Sequence, residues 1–407
     1  MQGYIYPNEY ELQWSLLIVV YPYLTGLVAG AFILASLARV FNVKEVQPTY
    51  RLSLVTALAF LIAAPLPLLA HLGHPERAFE IFLTPNVRSA MAMFGFVYAW
   101  YLMMVLLLEI WFDFRKDLVI WAEGTTGSLA RFRRLLTLGV KDLSAKSLVF
   151  DDKAGKLITI IGIPSAFLLH GYVGFIFGSV KANPWWSSVL MPVVFLFSAI
   201  VSGIALMLLV YVVTSRMRGK PLDMVCLDKL AAFLLYALVV DFSLEMLDVT
   251  QRLYEAEESI SILGQMLQNR LVISLLVLQV TVGTIVPLIT LFLVAPTIRT
   301  KGLIRVPDAP RWLIYVVMAV LIQIGIFSTR WNVVFGGQLF SKSLRGLTTY
   351  KLEFLGIEGI LVAAAIVLLP LVILWLLVKV IPPWPDAAAP LAPESDEGAP
   401  LPAAQAS

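Results

Sequence analysis

The sequence predicts an all-α protein, a polytopic transmembrane bundle of about nine helices. Of its 407 residues, 59% are hydrophobic and only 14% are charged, and the mean hydropathy is +0.86. This balance is far more apolar than a soluble domain of this size shows. The apolar residues also fall in blocks of about 20, the length at which a helix crosses a hydrocarbon core about 30 Å thick.

Nine apolar blocks satisfy this length criterion. They lie at 15–38, 52–73, 89–112, 157–179, 188–214, 229–250, 271–295, 311–330 and 354–380. The alternate connecting segments on one side carry 21 of the 30 Lys and Arg residues, and such segments are typically cytoplasmic. We therefore predict a periplasmic N-terminus and a cytoplasmic C-terminus. The first block lacks the positive flank of a cleavable signal, which indicates a retained helix.

We expect one transmembrane domain over residues 1–380. Its third connecting segment, 113–156, is predicted to be cytoplasmic. Within it, 128–149 mixes Leu and Phe with Lys and Arg at helical spacing, which predicts an interfacial helix. The tail at 381–407 contains seven Pro and eight Ala, a composition typical of a disordered segment.

Cysteine and histidine counts limit the redox centres that this chain can hold. Cys226 is the only cysteine, which excludes an internal disulfide and an iron–sulfur cluster ligated by this chain alone. Three histidines cannot ligate two bis-histidine haems, although one such haem stays possible. We therefore predict no metal site, and nothing in the sequence indicates nucleic-acid binding.

The sixth block ends in a row of charged residues. Asp241, Glu245, Asp248 and Arg252 are spaced by four, three and four residues, which places them on one helix face. Charges inside a membrane are costly unless they are paired or hydrated. We predict that the three acids form a proton-transfer route to the outer surface. A structural stripe closed by Arg252 is the alternative.

The histidines are candidates for ligand contacts. His71 and His74 lie in LLAHLGHPERAF at the outer end of the second block, and His170 lies about 15 Å deep in the fourth. Tyr21, in the first block, could donate a hydrogen bond to a carbonyl. A structural histidine and an interfacial aromatic residue, respectively, are the alternatives for His170 and Tyr21.

The long outer segment 330–354 joins the eighth and ninth blocks. We expect Arg330 to end the eighth block and Glu353 to begin the ninth, where the two could pair. The excess of basic residues in this outer segment indicates either a docking surface for a partner protein or simple solvation. The candidate docking residues are Arg77, Trp185, Arg330, Lys342 and Arg345.

Several segments, taken in order, resemble the NrfD/polysulfide-reductase membrane-subunit family over nearly the whole chain. They are AHLGHPERAF, TPNVRSAM, LLHGYVG, NPWWSSVLMPVVFLFSAIVSGIA and the segment from Arg330 to Tyr350. The last of these is most similar to one branch of the family, the P subunits (DsrP) of sulfite-reductase-associated Dsr transmembrane complexes.

The resemblance implies a haem-free bundle that exchanges electrons with the quinone pool, either menaquinone or ubiquinone. Tyr21 matches a quinone-contacting position, and His170 with Tyr172 matches the fourth-helix quinone region. His71 falls where many relatives carry Asp. The quinone candidates are therefore Tyr21, His71, His170 and Tyr172. The candidates for proton transfer are Asp241, Glu245, Asp248 and Glu353.

The resemblance also implies partners and a location. We expect a periplasmic four-cluster ferredoxin-like iron–sulfur subunit and, in a Dsr complex, three further partners. These are a haem-b membrane subunit, a periplasmic multihaem cytochrome c and a cytoplasmic iron–sulfur subunit. The location would be the bacterial cytoplasmic membrane. Two alternatives stay open, a haem-b anchor that uses His71 or His74 with His170, and a proton-coupled secondary transporter, for which inverted repeats would be expected.

Overall fold

Nine helices in the described part of the chain are long and apolar enough to cross a membrane. The computed structural model describes residues 14–124, 126–255, 260–296, 302–339, 347–350 and 352–384. The spans, numbered first to ninth, are Leu16–Arg39, Lys44–His71, Ala92–Gly124, Ala145–Gly178, Met191–Met217, Met224–Gln251, Val272–Val294, Asp308–Gln338 and Ile360–Val380. The prediction of an all-α, multi-pass membrane protein with about nine spans is confirmed. Most of the predicted tail, 381–407, lies outside the described residues.

The helices extend further than the apolar blocks on the side predicted to be cytoplasmic. The third span continues to Gly124 and the fourth begins at Ala145, so much of the segment 113–156 is helical. Polar residues can continue a helix beyond the apolar layer when they bond to one another. Here the Nε of Arg115 donates to Asp151 at 2.7 Å and joins the two extensions.

The predicted interfacial helix at 128–149 is shorter than expected. A helix runs over Ser128–Leu136, and the chain then turns through Gly139, whose φ of 82° suits glycine. Arg133 on its inner face donates to the carbonyls of Lys379 and Val380. This bonding fixes the helix to the end of the ninth span, with apolar side chains such as Leu135 exposed.

The first and fifth spans cross closely at the centre of the bundle. A Cβ on Gly30 would overlap the carbonyl oxygen of Ala199, and one on Gly203 would overlap the backbone of Gly30. Small residues allow membrane helices to approach at backbone distance. Gly30, in the small-residue pattern GLVAG (26–30), therefore serves helix packing.

Replacing Gly203 by alanine is expected to destabilise the bundle by about 1–3 kcal/mol, because an added methyl group forces the two backbones apart. The measurement is the thermal unfolding midpoint of the detergent-purified protein. Gly264→Ala is the control, since a Cβ there meets no atom of the described residues within 4 Å. Equal midpoints for the two variants would contradict the close crossing.

The seventh span has an unusual backbone that brings a polar side chain into the bundle. It is π-helical over Val272–Ile285. This geometry is rare in proteins, and where it occurs it is often at a functional site. Within this stretch Gly283 lies directly on Gly325 of the eighth span, where neither has room for a side chain. This contact places Gln279 in the interior of the bundle, where it is buried.

Candidate functional site

His170, in the fourth span, contacts three other spans and is fully buried. Its Nδ1 is 3.3 Å from the Oγ1 of Thr25 in the first span, and its Nε2 is 3.1 Å from the Nη2 of Arg330 in the eighth. A Cβ on Gly26 would lie 3.1 Å from the imidazole Cε1. Gly26 therefore lets the first span approach the ring, which stacks on Phe195 of the fifth span.

Arg330 is the central cation of this junction, and its side chain is fully buried. Its Nη2 donates to the Oγ of Ser198 at 2.5 Å, and the guanidinium lies 4.2 Å from the centroid of the Phe195 ring. Its Nε and Nη1 donate to no group in the described part of the chain. Asp241 and Glu245 are near enough to interact with it electrostatically. Such neighbours offset the cost of burying a charge at membrane depth.

The predicted position of Arg330 is wrong. The eighth helix does not end there but continues through WNVVFGGQ to Gln338, so Arg330 lies eight residues inside the helix. It contacts His170 rather than Glu353. Glu353 is exposed and precedes the ninth span. The expected pair across the outer segment does not form, and a fully buried side chain is not available for docking.

The carboxylates of the sixth span extend this polar site beyond Arg330. Asp241 is buried, and its Oδ1 accepts no hydrogen bond from the residues that the structure describes. Glu245 accepts from the Nε2 of Gln279 at 3.2 Å, and the Oε1 of Gln279 accepts from the Nδ2 of Asn332 at 2.7 Å. Amides from the seventh and eighth spans thus extend the row of acids.

A cavity of about 140 Å³ lies beside these acids. Glu245, Asp248, Gln279 and Asn332 supply its polar wall, and Asp248 also accepts from the hydroxyl of Ser188. At about 30 Å³ per molecule, the cavity has room for about four waters. Two of the three predicted acids, Glu245 and Asp248, therefore border a space in which water could carry protons. The side chain of Arg252 lies outside the described residues.

Trp185 lies on the wall of the same cavity and is hydrogen-bonded to the eighth span. Its Nε1 donates to the carbonyl of Asn332 at 2.8 Å, and the Nε1 of Trp186 donates to Val333 at 2.6 Å. The Nδ2 of Asn183 donates to the carbonyl of Gly337. The segment NPWW (183–186) therefore holds the C-terminal end of the eighth helix in place.

Tyr21 and Tyr172 belong to a neighbouring aromatic group. The Phe94 ring lies between them, edge-on to Tyr21 at 5.6 Å and stacked on Tyr172 at 5.9 Å. Tyr172 donates to the carbonyl of Ala90, whereas the buried Tyr21 hydroxyl has no partner among the described residues. Thr25 donates back to the Tyr21 carbonyl, so Tyr21 lies one helical turn from the His170 junction.

The two histidines of LLAHLGHPERAF lie apart from this junction. His71 is partly exposed, and its Nδ1 is 2.8 Å from the Oε1 of Glu358, which links the second span to the segment before the ninth. His74 is exposed in the loop. Arg77 is also exposed and pairs with Glu80 at 2.9 Å. Lys342 and Arg345 lie outside the described residues.

The family assignment follows from a sequence comparison that covers most of the chain. The sequence model of the family described as polysulphide reductase, NrfD, matches residues 6–342. The chain belongs to the NrfD family. The resemblance found in the sequence motifs is therefore confirmed at the level of the family, and the Dsr branch stays a prediction.

This NrfD-family chain is similar to subunits of several oxidoreductases. It is 41% identical over 206 residues to the C subunit of the selenate reductase of Mesobacillus selenatarsenatis, 49% of this chain and 47% of that one. It is 29% identical over 220 residues to a putative membrane C subunit of the dimethyl sulfoxide reductase of Halobacterium salinarum, 52% and 45% of the two chains. It is 26% identical over 216 residues to an Hdr-like menaquinol oxidoreductase integral membrane subunit of Archaeoglobus fulgidus, 52% and 45%. The matches thus span about half of each of these relatives.

The groups at the junction of this NrfD-family protein fit a quinone headgroup. A quinone carbonyl needs a hydrogen-bond donor, and a quinol hydroxyl needs an acceptor. Arg330 has two nitrogens without a partner in the described structure, and Asp241 has one such carboxylate oxygen. The Tyr21 hydroxyl is a further buried donor one turn away. Among the described residues, no group of three or more His, Cys, Asp or Glu is placed to hold a metal ion.

Sequence reasoning missed four residues of the site. Thr25, Ser198, Gln279 and Asn332 are uncharged and common in helices, so nothing in their spacing marked them. Gln279 had the strongest available signal, because it is a polar residue in the middle of the apolar run LLVLQVTVG (275–283).

Proposed function

We propose that this NrfD-family chain is the quinone-reactive membrane subunit of a multisubunit respiratory redox complex. It exchanges electrons between the quinone pool and a periplasmic iron–sulfur subunit, and the complex serves dissimilatory sulfur metabolism. The orientation, with the N-terminus periplasmic, follows from the distribution of Lys and Arg. The location is the bacterial cytoplasmic membrane.

The buried pair of His170 and Arg330 is the observation that supports this proposal best. Burying a guanidinium with two of its nitrogens unbonded to the described chain is costly unless a ligand or water completes the bonding. A quinone carbonyl can accept from Arg330, with His170 alongside as a proton-exchanging group. The name of one relative, a menaquinol oxidoreductase integral membrane subunit, supports a quinol as the ligand.

Proton movement would use the sixth span. Oxidation of one quinol to the quinone releases two electrons and two protons. We propose that the electrons pass to the iron–sulfur partner and that Asp241 and Glu245 receive the protons. From Glu245 the cavity leads to Asp248 and the outer end of the span. Glu353 is exposed at that end, and we propose that it is the last group to carry the proton before water.

The proposed partners follow from the family resemblance. The iron–sulfur subunit would dock on the outer surface, where Arg77 is exposed and where Lys342 and Arg345 occur in the sequence. The resemblance of segment 330–350 to the Dsr branch supports a sulfite-linked complex with a haem-b membrane subunit, a multihaem cytochrome c and a cytoplasmic iron–sulfur subunit.

Binding of a quinone analogue to the purified chain is the direct test. A naphthoquinone analogue is expected to bind the unmodified protein and to lose at least about tenfold in affinity in Arg330→Gln, because one charge-assisted hydrogen bond contributes about 1.5–3 kcal/mol. Arg77→Gln is the control. The visible spectrum is recorded on the same sample, and a b-type haem band from this chain would contradict the proposal.

A further inference from the structure

Glu109, midway along the third helix (Ala92–Gly124) and near the inner end of its apolar block (89–112), is a buried carboxylate that the proposed quinone site does not use. Its side chain is fully buried. The Oε1 accepts from the hydroxyl of Thr159 at 2.8 Å and from the hydroxyl of Tyr50 at 3.4 Å. The Oε2 is also buried and accepts no hydrogen bond from the part of the chain that the structure describes.

A second unbonded polar group lies on the outer side of Glu109. Tyr101, two helical turns earlier in the same span, is fully buried, and its hydroxyl has no partner within the described ranges. The helix is π-helical over Tyr101–Leu106, between the two residues. Glu109 and Tyr101 are near enough to interact electrostatically. Two buried polar atoms, the Oε2 of Glu109 and the hydroxyl of Tyr101, have no partner among the described residues. They point to an exchangeable ligand between the second, third and fourth spans.

The cations near Glu109 are already engaged by other acids. Arg51 donates to Asp113 at 2.8 Å and to Asp117 at 2.5 Å, and Arg39 is 3.5 Å from Asp113. Asp113 and Asp117 follow Glu109 at four-residue steps and lie between it and the inner surface. Tyr50, Tyr101, Asp113 and Arg39 are the ionisable groups that interact with Glu109 from the packed elements. Among the described residues, Glu109 is therefore not one half of a structural ion pair.

An apolar layer separates Glu109 from the outer site. On the fourth span, Gly162 has no room for a side chain because Phe32 and Val105 pack against it. Gly162 is eight residues from His170, or about 12 Å along the helix. Glu109 and the His170 junction thus lie on opposite sides of the close apolar packing at Gly162.

We propose that Glu109 is an inward-facing proton-binding site. One proton enters from water at the inner surface, passes the Asp117 and Asp113 carboxylates, and converts the Glu109 carboxylate to the neutral acid. No electron is transferred in this step. Thr159 and Tyr50 hold one oxygen in place, and the other oxygen accepts the proton. The site lets the chain take protons from the side opposite to the carboxylates of the sixth span.

Infrared difference spectroscopy of the full-length chain in a pH jump tests the proposal without any quinone chemistry. The unmodified protein is expected to show a carboxylic-acid C=O band that shifts in D₂O, and Glu109→Gln is expected to lose that band. Glu76→Gln, which removes an exposed glutamate, should keep it. An unchanged band in Glu109→Gln would overturn the proposal.

Thr159→Val provides a second test in case Glu109→Gln fails to fold. It removes the 2.8 Å hydrogen bond to Glu109 and retains the carboxyl group. The band is expected to move to higher frequency, since a carbonyl released from a hydrogen bond vibrates faster. A band at the same frequency in Thr159→Val would assign it to another acid and would also overturn the proposal.

Discussion

Replacing His170 by glutamine is expected to lower quinol turnover by about 10²-fold, the loss typical when one preorganised polar group at a reacting centre is removed. Glutamine can still contact Thr25, but it cannot exchange a proton as imidazole does. Arg330 also loses its 3.1 Å neighbour. The measurement is the steady-state rate of quinol oxidation by the purified complex.

His74→Gln is the matched control, because His74 is exposed and pairs only with Glu76 among the described residues. Its turnover should stay within about twofold of the unmodified complex, since exposed ion pairs contribute little. Co-purification of the partner subunits distinguishes a catalytic defect from failed assembly. Normal turnover in His170→Gln, with the complex intact, would contradict the role proposed for this residue.

Asp241→Asn is expected to slow proton release to the outer side by about 10²-fold, the lower end of what a positioned proton-transfer group contributes. Asparagine keeps the shape of the side chain but cannot accept the proton. Glu245→Gln should have the same effect, because Glu245 is the next acid and borders the cavity. The measurement is the appearance of protons outside proteoliposomes after a pulse of quinol.

The control for the acid variants is Glu76→Gln, which removes an exposed carboxylate of the outer loop. It should leave proton release unchanged. If Asp241→Asn and Glu245→Gln also release protons at the normal rate, the stripe is structural. A variant that slows both proton release and quinol turnover would be expected if deprotonation limits the reaction.

The periodicity of the sequence predicted the carboxylate stripe well. Spacings of four and three residues put Asp241, Glu245 and Asp248 on one face of the sixth helix whatever it packs against. In the structure, Glu245 and Asp248 face one cavity. The amides that complete the row, Gln279 and Asn332, come from two other spans, and no local pattern in the sequence relates them to the sixth.

The position of Arg330 could not be predicted, because an arginine after an apolar run normally marks the end of a span. The helix instead continues to Gln338, and tertiary contacts hold this last part in place. Trp185 and Trp186 donate to Asn332 and Val333. Glu109 was missed for a similar reason, because it lies near a predicted block end, where an acid ordinarily reaches water.

The sequence by itself determined the class of the protein, the number of spans, the family and the face of the sixth helix that carries acids. The class, the number of spans and the acidic face depend on composition and on helical periodicity, which are local, and the family depends on the order of several sequence motifs. Only the tertiary structure decided that His170 meets Arg330 and Thr25, that His71 bonds Glu358 instead, and that Glu109 is enclosed. The contacts of the two histidines join residues that are 145, 160 and 287 positions apart in the sequence. Helix packing at glycine crossings, not local pattern, sets which faces meet.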